Sequence, residues 1–300
     1  MPSVTILGNN SAIPAHGRHP TAQIINTNED LLLFDCGEGT QIQILNFKIK
    51  RSRINHIFIS HLHGDHYYGL IGLINSFALL NRLQPLHVYG PAPLEQLITI
   101  QLQLAETRLP FEFTFHPITK DGIILETDTY TVECFSTQHR IECRGFLFRE
   151  KKLPRKLLIK HVQSLNIPLS YYKHLQQGED YVTESGKRIE NNELTIANKK
   201  PRSYAFSADT IYDELLIPIF KDVDLLYHEA TYPHALEQKA KERYHSTASQ
   251  AAMIASKAGV GKLLIGHFSA KFEDITEFEK EAKAIFNNTE CAVEGVTYLF

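Results

Sequence analysis

The stretch SHLHGDH, residues 60–66, follows directly on the apolar run INHIFI, residues 54–59, and places three histidines and an aspartate within six positions. With fifteen histidines in the chain some clustering is expected, but chance does not single out the end of a buried strand. Imidazole nitrogen and carboxylate oxygen both bind zinc, at about 2.0–2.2 Å. A loop leaving a strand can turn His61 and His63 toward one ion, and its next turn can offer Asp65 and His66 to a second. Gly64 is expected to permit the tight bend. The segment GLIGLINSFALL, residues 69–80, reads as a helix that is apolar nearly all round and therefore buried. Its N-terminus should point at the loop, where free N–H groups favour an anion such as phosphate.

A pair of ions needs more ligands than this loop carries, and they should stand at the ends of other strands. His139 follows TVECFSTQ, Asp209 follows YAFSA and His267 follows KLLIG, each a metal-capable residue just past a strand-like run. Five histidines and two carboxylates then suffice for two ions, with one carboxylate bridging. Taken singly, each late residue also reads as a surface or capping side chain, and Asp209 as the N-cap of the helix that follows.

The surrounding pattern is strand-rich. VTIL, AQIIN, LLLFD, HIFIS, LHVYG, FEFTFHPI, IILE, TYTVECFS and GFLFRE read as strands in the first part, with PAPLEQLITIQLQLAE as a helix. In the second part SYAFSAD, DLLYHEA and KLLIGHF read as strands, and DELLIPIF and DITEFEKEAKAIF as helices. TASQAAMIASKAG is a helix with a capping box from Thr247 to Gln250 and a terminal Gly259. This order predicts an α/β fold of two sheets face to face with helices on the outer faces.

Composition narrows the class. The 300 residues are 43% hydrophobic, enough for one large core, and the net charge of −3 does not mark a nucleic-acid binder. It hides an asymmetry: from Arg149 to Arg202 there are twelve Lys or Arg against six Asp or Glu, so this polar segment is about +6 and the rest is acidic. On charge alone it reads as a solvated insertion. Four widely spaced cysteines without a CxxC imply free thiols in a reducing compartment. No basic, apolar leader opens the chain and no run reaches about 18 apolar residues, so a soluble cytoplasmic protein without membrane contact is expected.

SHLHGDH resembles the signature of the metallo-β-lactamase superfamily, and the wider pattern resembles the ribonuclease Z family of tRNA 3′-processing endoribonucleases. LGNNSAIPAHGRHPTA is similar to that family's opening loop, DCGEGTQIQ (35–43) to its first motif, and SHLHGDHYYGLIGL to its second. HEAT (228–231), HST (245–247) and GHFSAKF resemble its short later motifs, so the likeness runs nearly end to end. It implies a metallo-β-lactamase-like αββα sandwich, a single catalytic domain over 1–300, with a flexible basic arm inserted at 150–200 as the tRNA-binding exosite. His61, His63 and His139 would bind one zinc, and Asp65, His66 and His267 the other. Asp209 would bridge them, with two Zn2+ per subunit, or Mn2+ in their place. Asp35 would orient a ligating histidine from behind, and His228 would scaffold the site.

The implied reaction is removal of the 3′ trailer from precursor tRNA, leaving a 3′-hydroxyl on the tRNA and a 5′-phosphate on the trailer. Asp65 would accept the proton of the attacking water, and His245, oriented by Glu229, would protonate the leaving oxygen. Arg149, Lys151, Lys152, Arg155 and Lys156 would contact phosphates, and the subunits would form a homodimer. The sequence departs from the family in two places. The arm has IPLSYYKHL rather than a Gly-Pro-rich stretch, and the fourth motif reads SADT, with Ala208 in place of a glycine. A hydrolase of small phosphodiesters would share the metal residues without needing the arm, HEAT or HST. A non-catalytic RNA-binding protein would have lost a ligand. A structural zinc site would favour cysteines.

Overall fold

The computed structural model describes residues 1–300, and the chain divides into two compact units. The larger comprises Met1–Glu126, Thr131–Phe148 and Arg202–Phe300; the smaller is Thr127–Tyr130 with Arg149–Pro201.

Two seven-stranded sheets form the centre. The first runs Thr297–Leu299, Ser3–Gly8, Ala22–Asn26, Leu31–Cys36, Ile54–Phe58, Leu86–Gly90, Phe113–Pro117. The second runs Thr289–Cys291, Lys262–Gly266, Leu225–Glu229, Ser203–Phe206, Arg144–Glu150, Tyr130–Ser136, Gly122–Glu126. Most strands that lead into candidate site residues have a parallel neighbour, Leu31–Cys36 with Ile54–Phe58 and Leu225–Glu229 with both Ser203–Phe206 and Lys262–Gly266, whereas Tyr130–Ser136, before His139, is antiparallel to Gly122–Glu126. Parallel strands end on the same edge, which gathers the loops after residues 36, 58, 206, 229 and 266 at one rim.

Aromatic side chains fill the space between the sheets. Phe34 lies 5.3 Å from Phe58 and 5.2 Å from Phe146, and Phe206 lies 5.5 Å from Tyr227. The outer faces are covered by helices. Thr40–Asn46, Leu70–Leu79 and Pro93–Leu104 bury Ile44, Leu73, Phe77, Leu94 and Ile98 against the first sheet. Ala248–Ala258 and Thr276–Ile285 bury Ile254, Phe278 and Ala282 against the second. The alanines of 248–258 let that helix lie close to the strands. The capping box at Thr247 and Gln250 and the left-handed Gly259 are as read. The result is the αββα metallo-β-lactamase sandwich. No helix is long and apolar enough to cross a membrane.

Three expectations change. The helix Leu70–Leu79 is buried on one face only: Leu73, Ile74 and Phe77 are inside while Leu79 is 84% exposed. Its first donor, the N–H of Gly69, is taken by the carbonyl of Cys36 at 2.9 Å and does not serve an anion. Gly64 begins a one-turn helix, Gly64–Tyr67, without a left-handed backbone. A Cβ there would meet the exposed Tyr68 ring at 2.1 Å, and that ring would have to turn away.

The smaller unit, read as polar and solvated, has its own core. Val162, Ile167, Leu175, Ile189 and Leu194 are buried together, with Tyr171 and Tyr181 packed against them. Short helices at Ile159–Ser164, Tyr172–Gln177 and Asn191–Leu194 and two two-stranded ribbons hold them in place. These apolar residues follow no sustained helical or strand period, so the pattern concealed them.

Candidate active site

The strand ends at this rim bring the predicted ligands together. His61 Nε2 and His139 Nε2 each lie 3.0 Å from His63 Nδ1, and each lies 3.7 Å from Asp209 Oδ2. On the other side, His267 Nε2 lies 3.3 Å from His66 Nε2 and 3.3 Å from Asp65 Oδ2. Asp209 Oδ1 is 3.4 Å from His66 Nε2 and 3.2 Å from His267 Nε2. Asp209 thus presents one oxygen to each triad.

The donor set suits a metal. Asp209 is buried, and its Oδ1 is left without a hydrogen-bond donor, a cost that a cation removes. Burial holds His61 well below the ordinary histidine range, lowers His139 and brings His63 to about 4, so all three are neutral imidazoles ready to ligate. Burial disfavours a charge on His66, but Asp209, Asp65 and Asp35 outweigh it and raise its pKa well above the usual value. That half of the cluster therefore has carboxylate charge in excess.

Partners behind the ligands fix their orientation. Asp35 Oδ2 accepts from His66 Nδ1 at 2.7 Å and from Ser60 Oγ at 2.8 Å, and its Oδ1 accepts from the Ser60 N–H at 2.8 Å. His139 Nδ1 is 2.9 Å from the Tyr244 carbonyl. Thr231 Oγ1 is 2.9 Å from His267 Nδ1 and donates to Glu229 Oε2 at 2.7 Å. Ser60, Thr231 and the Tyr244 carbonyl were not singled out in the sequence. Ser60 and Thr231 lie inside quoted motifs, so proximity to a ligand was the available signal.

Glu229 Oε1 lies 2.8 Å from His245 Nδ1 and also accepts from the Thr210 N–H at 2.8 Å. Burial opposes a charge on His245, but Glu229 overrides it and pushes the imidazole up to about 9. His245 reaches the same cavity as Asp65 and His139. His228 does not join them. Strand alternation turns it to the helix side, 6.4 Å from the Phe220 ring, and its link to the site is a 2.8 Å hydrogen bond to the Glu229 carbonyl. Nor does Asp209 cap the following turn: Asp213 does, accepting from the Leu215 N–H at 3.0 Å.

Ala208 adopts φ 53°, and Asp35 and His267 also have positive φ. A left-handed backbone beside three site residues aims their side chains inward at a cost in strain. The basic residues proposed for RNA lie in the smaller unit. Lys152 and Lys156 are exposed. Arg155 donates to Thr195 Oγ1 at 2.6 Å and Asn192 Oδ1 at 2.8 Å, which fixes part of its guanidinium within the unit.

A family model described as Anti-Pycsar protein Apyc1 matches residues 2–157. Ribonuclease Z of Bacteroides fragilis is 43% identical over 293 residues, 97% of this chain and 96% of that protein. Ribonuclease Z of Porphyromonas gingivalis is 41% identical over 294 residues, 97% of each. Among solved structures, human tRNase Z, short form, matches with a TM-score of 0.73 at 26% identity, covering 100% of this chain and 99% of that one. The metallo-β-lactamase fold protein YhfI from Bacillus subtilis matches with a TM-score of 0.69 at 20% identity, covering 99% and 98%.

Proposed function

The chain belongs to the ribonuclease Z family and, through residues 2–157, to the family described as Anti-Pycsar protein Apyc1, and from that premise we propose that it is an endoribonuclease removing the 3′ trailer of precursor tRNA. The observation that carries the chemistry is Asp209, buried with one oxygen toward each of two ligand triads. His61, His63 and His139 would hold one zinc ion and Asp65, His66 and His267 a second, with Asp209 shared; manganese also suits this donor set. Such ions supply an acidified water and neutralise charge on the phosphate.

The chain's own groups move the protons. Asp65 is held as a carboxylate: burial alone would raise its pKa, but His66 and His267 bring it far below the usual range. It is therefore unprotonated, the state in which a general base must start, and in this reading the proton of the attacking water would pass to it. Attack at phosphorus breaks the bond to the ribose 3′ oxygen, and His245, protonated at neutral pH and held by Glu229, gives that oxygen its proton. The products are a 3′-hydroxyl on the tRNA and a 5′-phosphate on the trailer.

The basic smaller unit supports a folded RNA as substrate. Segment 149–202 has a surplus of six positive charges, which suits phosphate contacts made by shape rather than by base, through Arg149, Lys151, Lys152, Arg155 and Lys156. Work in the cytoplasm fits four buried free thiols. A homodimer, each arm serving the partner's site, is the assembly that the ribonuclease Z likeness implies.

The test is a 5′-labelled precursor tRNA with a short trailer, incubated with metal-loaded wild type, with Asp65→Ala and with a variant lacking residues 151–199. One cut just after the discriminator base, lost in Asp65→Ala and greatly weakened without the arm, is expected. Intact RNA alongside hydrolysis of bis(p-nitrophenyl) phosphate would sink the tRNA assignment and leave a small-phosphodiester hydrolase.

A further inference from the structure

The opening loop, residues 7–22, supplies none of the ligands and no proton carrier. Yet Ser11, Ala12 and Ile13 form one wall of the cavity in which Asp65, His245 and His267 stand. The backbone there is unusual. The Ile13 N–H donates to the Ser11 carbonyl at 2.8 Å, closing a three-residue γ-turn around Ala12. Ala12 has φ 63°, the left-handed form of that turn, which is rare and strained. An L-alanine keeps such a conformation only where its surroundings impose it.

The surroundings tie the turn to one half of the metal cluster. Asn10–Ser11 pairs in parallel with Phe268–Ser269, the residues directly after His267, and the Phe268 N–H donates to the Asn9 carbonyl at 2.9 Å. Asn10 Nδ2 donates to the Ile13 carbonyl at 2.6 Å, and Arg18 Nε donates to Asn10 Oδ1 at 3.0 Å. Arg18 also donates to the Glu273 carbonyl at 3.0 Å, and His16 Nε2 lies 2.9 Å from the Ala270 carbonyl. The turn is thus built on the segment that carries His267. What it holds out is the Ala12 N–H, which donates to Asp65 Oδ2 at 2.7 Å across 53 positions of the chain. Oδ2 is the oxygen that faces His267 Nε2 at 3.3 Å and His66 Nε2 at 3.6 Å.

We propose that the Ala12 N–H is a positioning group for Asp65: the strained turn fixes the carboxylate with Oδ2 toward the second ligand triad and leaves Oδ1 for the proton of the attacking water. The inference rests on the endoribonuclease reading and deepens it. The carboxylate of an aspartate turns easily about its Cβ–Cγ bond, which exchanges its two oxygens. A short hydrogen bond from a braced backbone removes that freedom, and a bond to a charged acceptor is of the stronger kind. Partners of this sort behind a ligand tune both metal affinity and activity. An N–H that every residue but proline carries leaves no side-chain mark in the sequence.

The experiment deletes that one N–H. Lactate placed at position 12 by nonsense suppression exchanges the N–H of Ala12 for an ester oxygen and keeps the methyl group. Ala12→Gly keeps the donor and adopts the left-handed backbone freely. Wild type and both variants are loaded with cadmium for NMR, titrated with zinc against a competing chelator, and assayed on precursor tRNA at saturating zinc. In the lactate protein the signal of the cadmium held by Asp65, His66 and His267 should shift while that held by His61, His63 and His139 stays. Zinc affinity at the shifted site should fall about tenfold, and kcat should fall about tenfold with KM unchanged. Ala12→Gly should stay near wild type in every readout. A lactate protein with an unshifted cadmium spectrum and wild-type kcat would overturn the proposal, as would equal movement of both cadmium signals. So would an Ala12→Gly protein as impaired as the lactate one. Wild type that leaves precursor tRNA intact would remove the endoribonuclease reading, while the cadmium spectra would still decide whether Ala12 positions Asp65.

Discussion

His245 Nδ1 lies 2.8 Å from Glu229 Oε1. That bond commits one imidazole nitrogen to the scaffold and leaves Nε2 for the cavity. It also ties His245 to the ligand shell, because Glu229 Oε2 accepts from Thr231, which contacts His267. A proton donor positioned this way should matter to the chemical step and little to metal affinity. We expect His245→Ala to lower precursor cleavage by about 10²–10⁴-fold while metal content, read by inductively coupled plasma mass spectrometry, stays at the wild-type level. Loss of metal in step with activity would make His245 a ligand instead.

The same pair sets a pH dependence. With its pKa pushed up to about 9, His245 keeps its proton through neutral pH and loses it as pH rises past that value. The rate of the chemical step should therefore fall on the alkaline side, near pH 9. In Glu229→Gln the main influence holding the proton on His245 is gone, and burial, which favours the neutral ring, is opposed only by the lesser pull of Asp209 and Asp65. The descending limb should move to lower pH by more than one unit. A pH–rate profile that superposes on wild type would refute the pairing.

Asp209 faces both triads, whereas His139 faces one. Asp209→Ala should bring bound metal toward zero, and His139→Ala should lose one ion and keep the other. Metal-to-protein ratios after gel filtration decide this. Equal losses in the two variants would argue against a shared carboxylate.

Ala208 pays for a left-handed backbone, φ 53°, at a buried position. A glycine adopts that conformation without the Cβ penalty. Ala208→Gly should raise unfolding stability by about 1 kcal/mol, measured as a higher urea midpoint at unchanged m value. An unchanged or lower midpoint would mean that the Ala208 methyl contributes packing that offsets the strain.

Much of this was legible before any coordinates. The strands Ala22–Asn26 and Leu86–Gly90 match their sequence readings residue for residue, because short apolar runs between turn residues have few alternatives. Helix 248–258 announced both of its caps. The errors lie where a local pattern does not decide. The all-apolar look of 69–80 hid an exposed Leu79, since composition does not say which side of a helix finds a partner. Nor did any local pattern show that Arg155 donates to Thr195 and Asn192, forty and thirty-seven residues away.

The sequence by itself determined the kinds of ligand and their positions at strand ends, since a strand that stops in a loop must present its next residues at the sheet rim. It also determined the layered class, through alternating strand and helix periods. Tertiary structure alone decided that Asp209 turns one oxygen to each triad and that Thr231 links Glu229 to His267. Those relations join residues from 36 to 148 positions apart, or set the angle of a side chain within a motif. Both depend on how the sheets pack and which strands end together, and no local period of the chain encodes that.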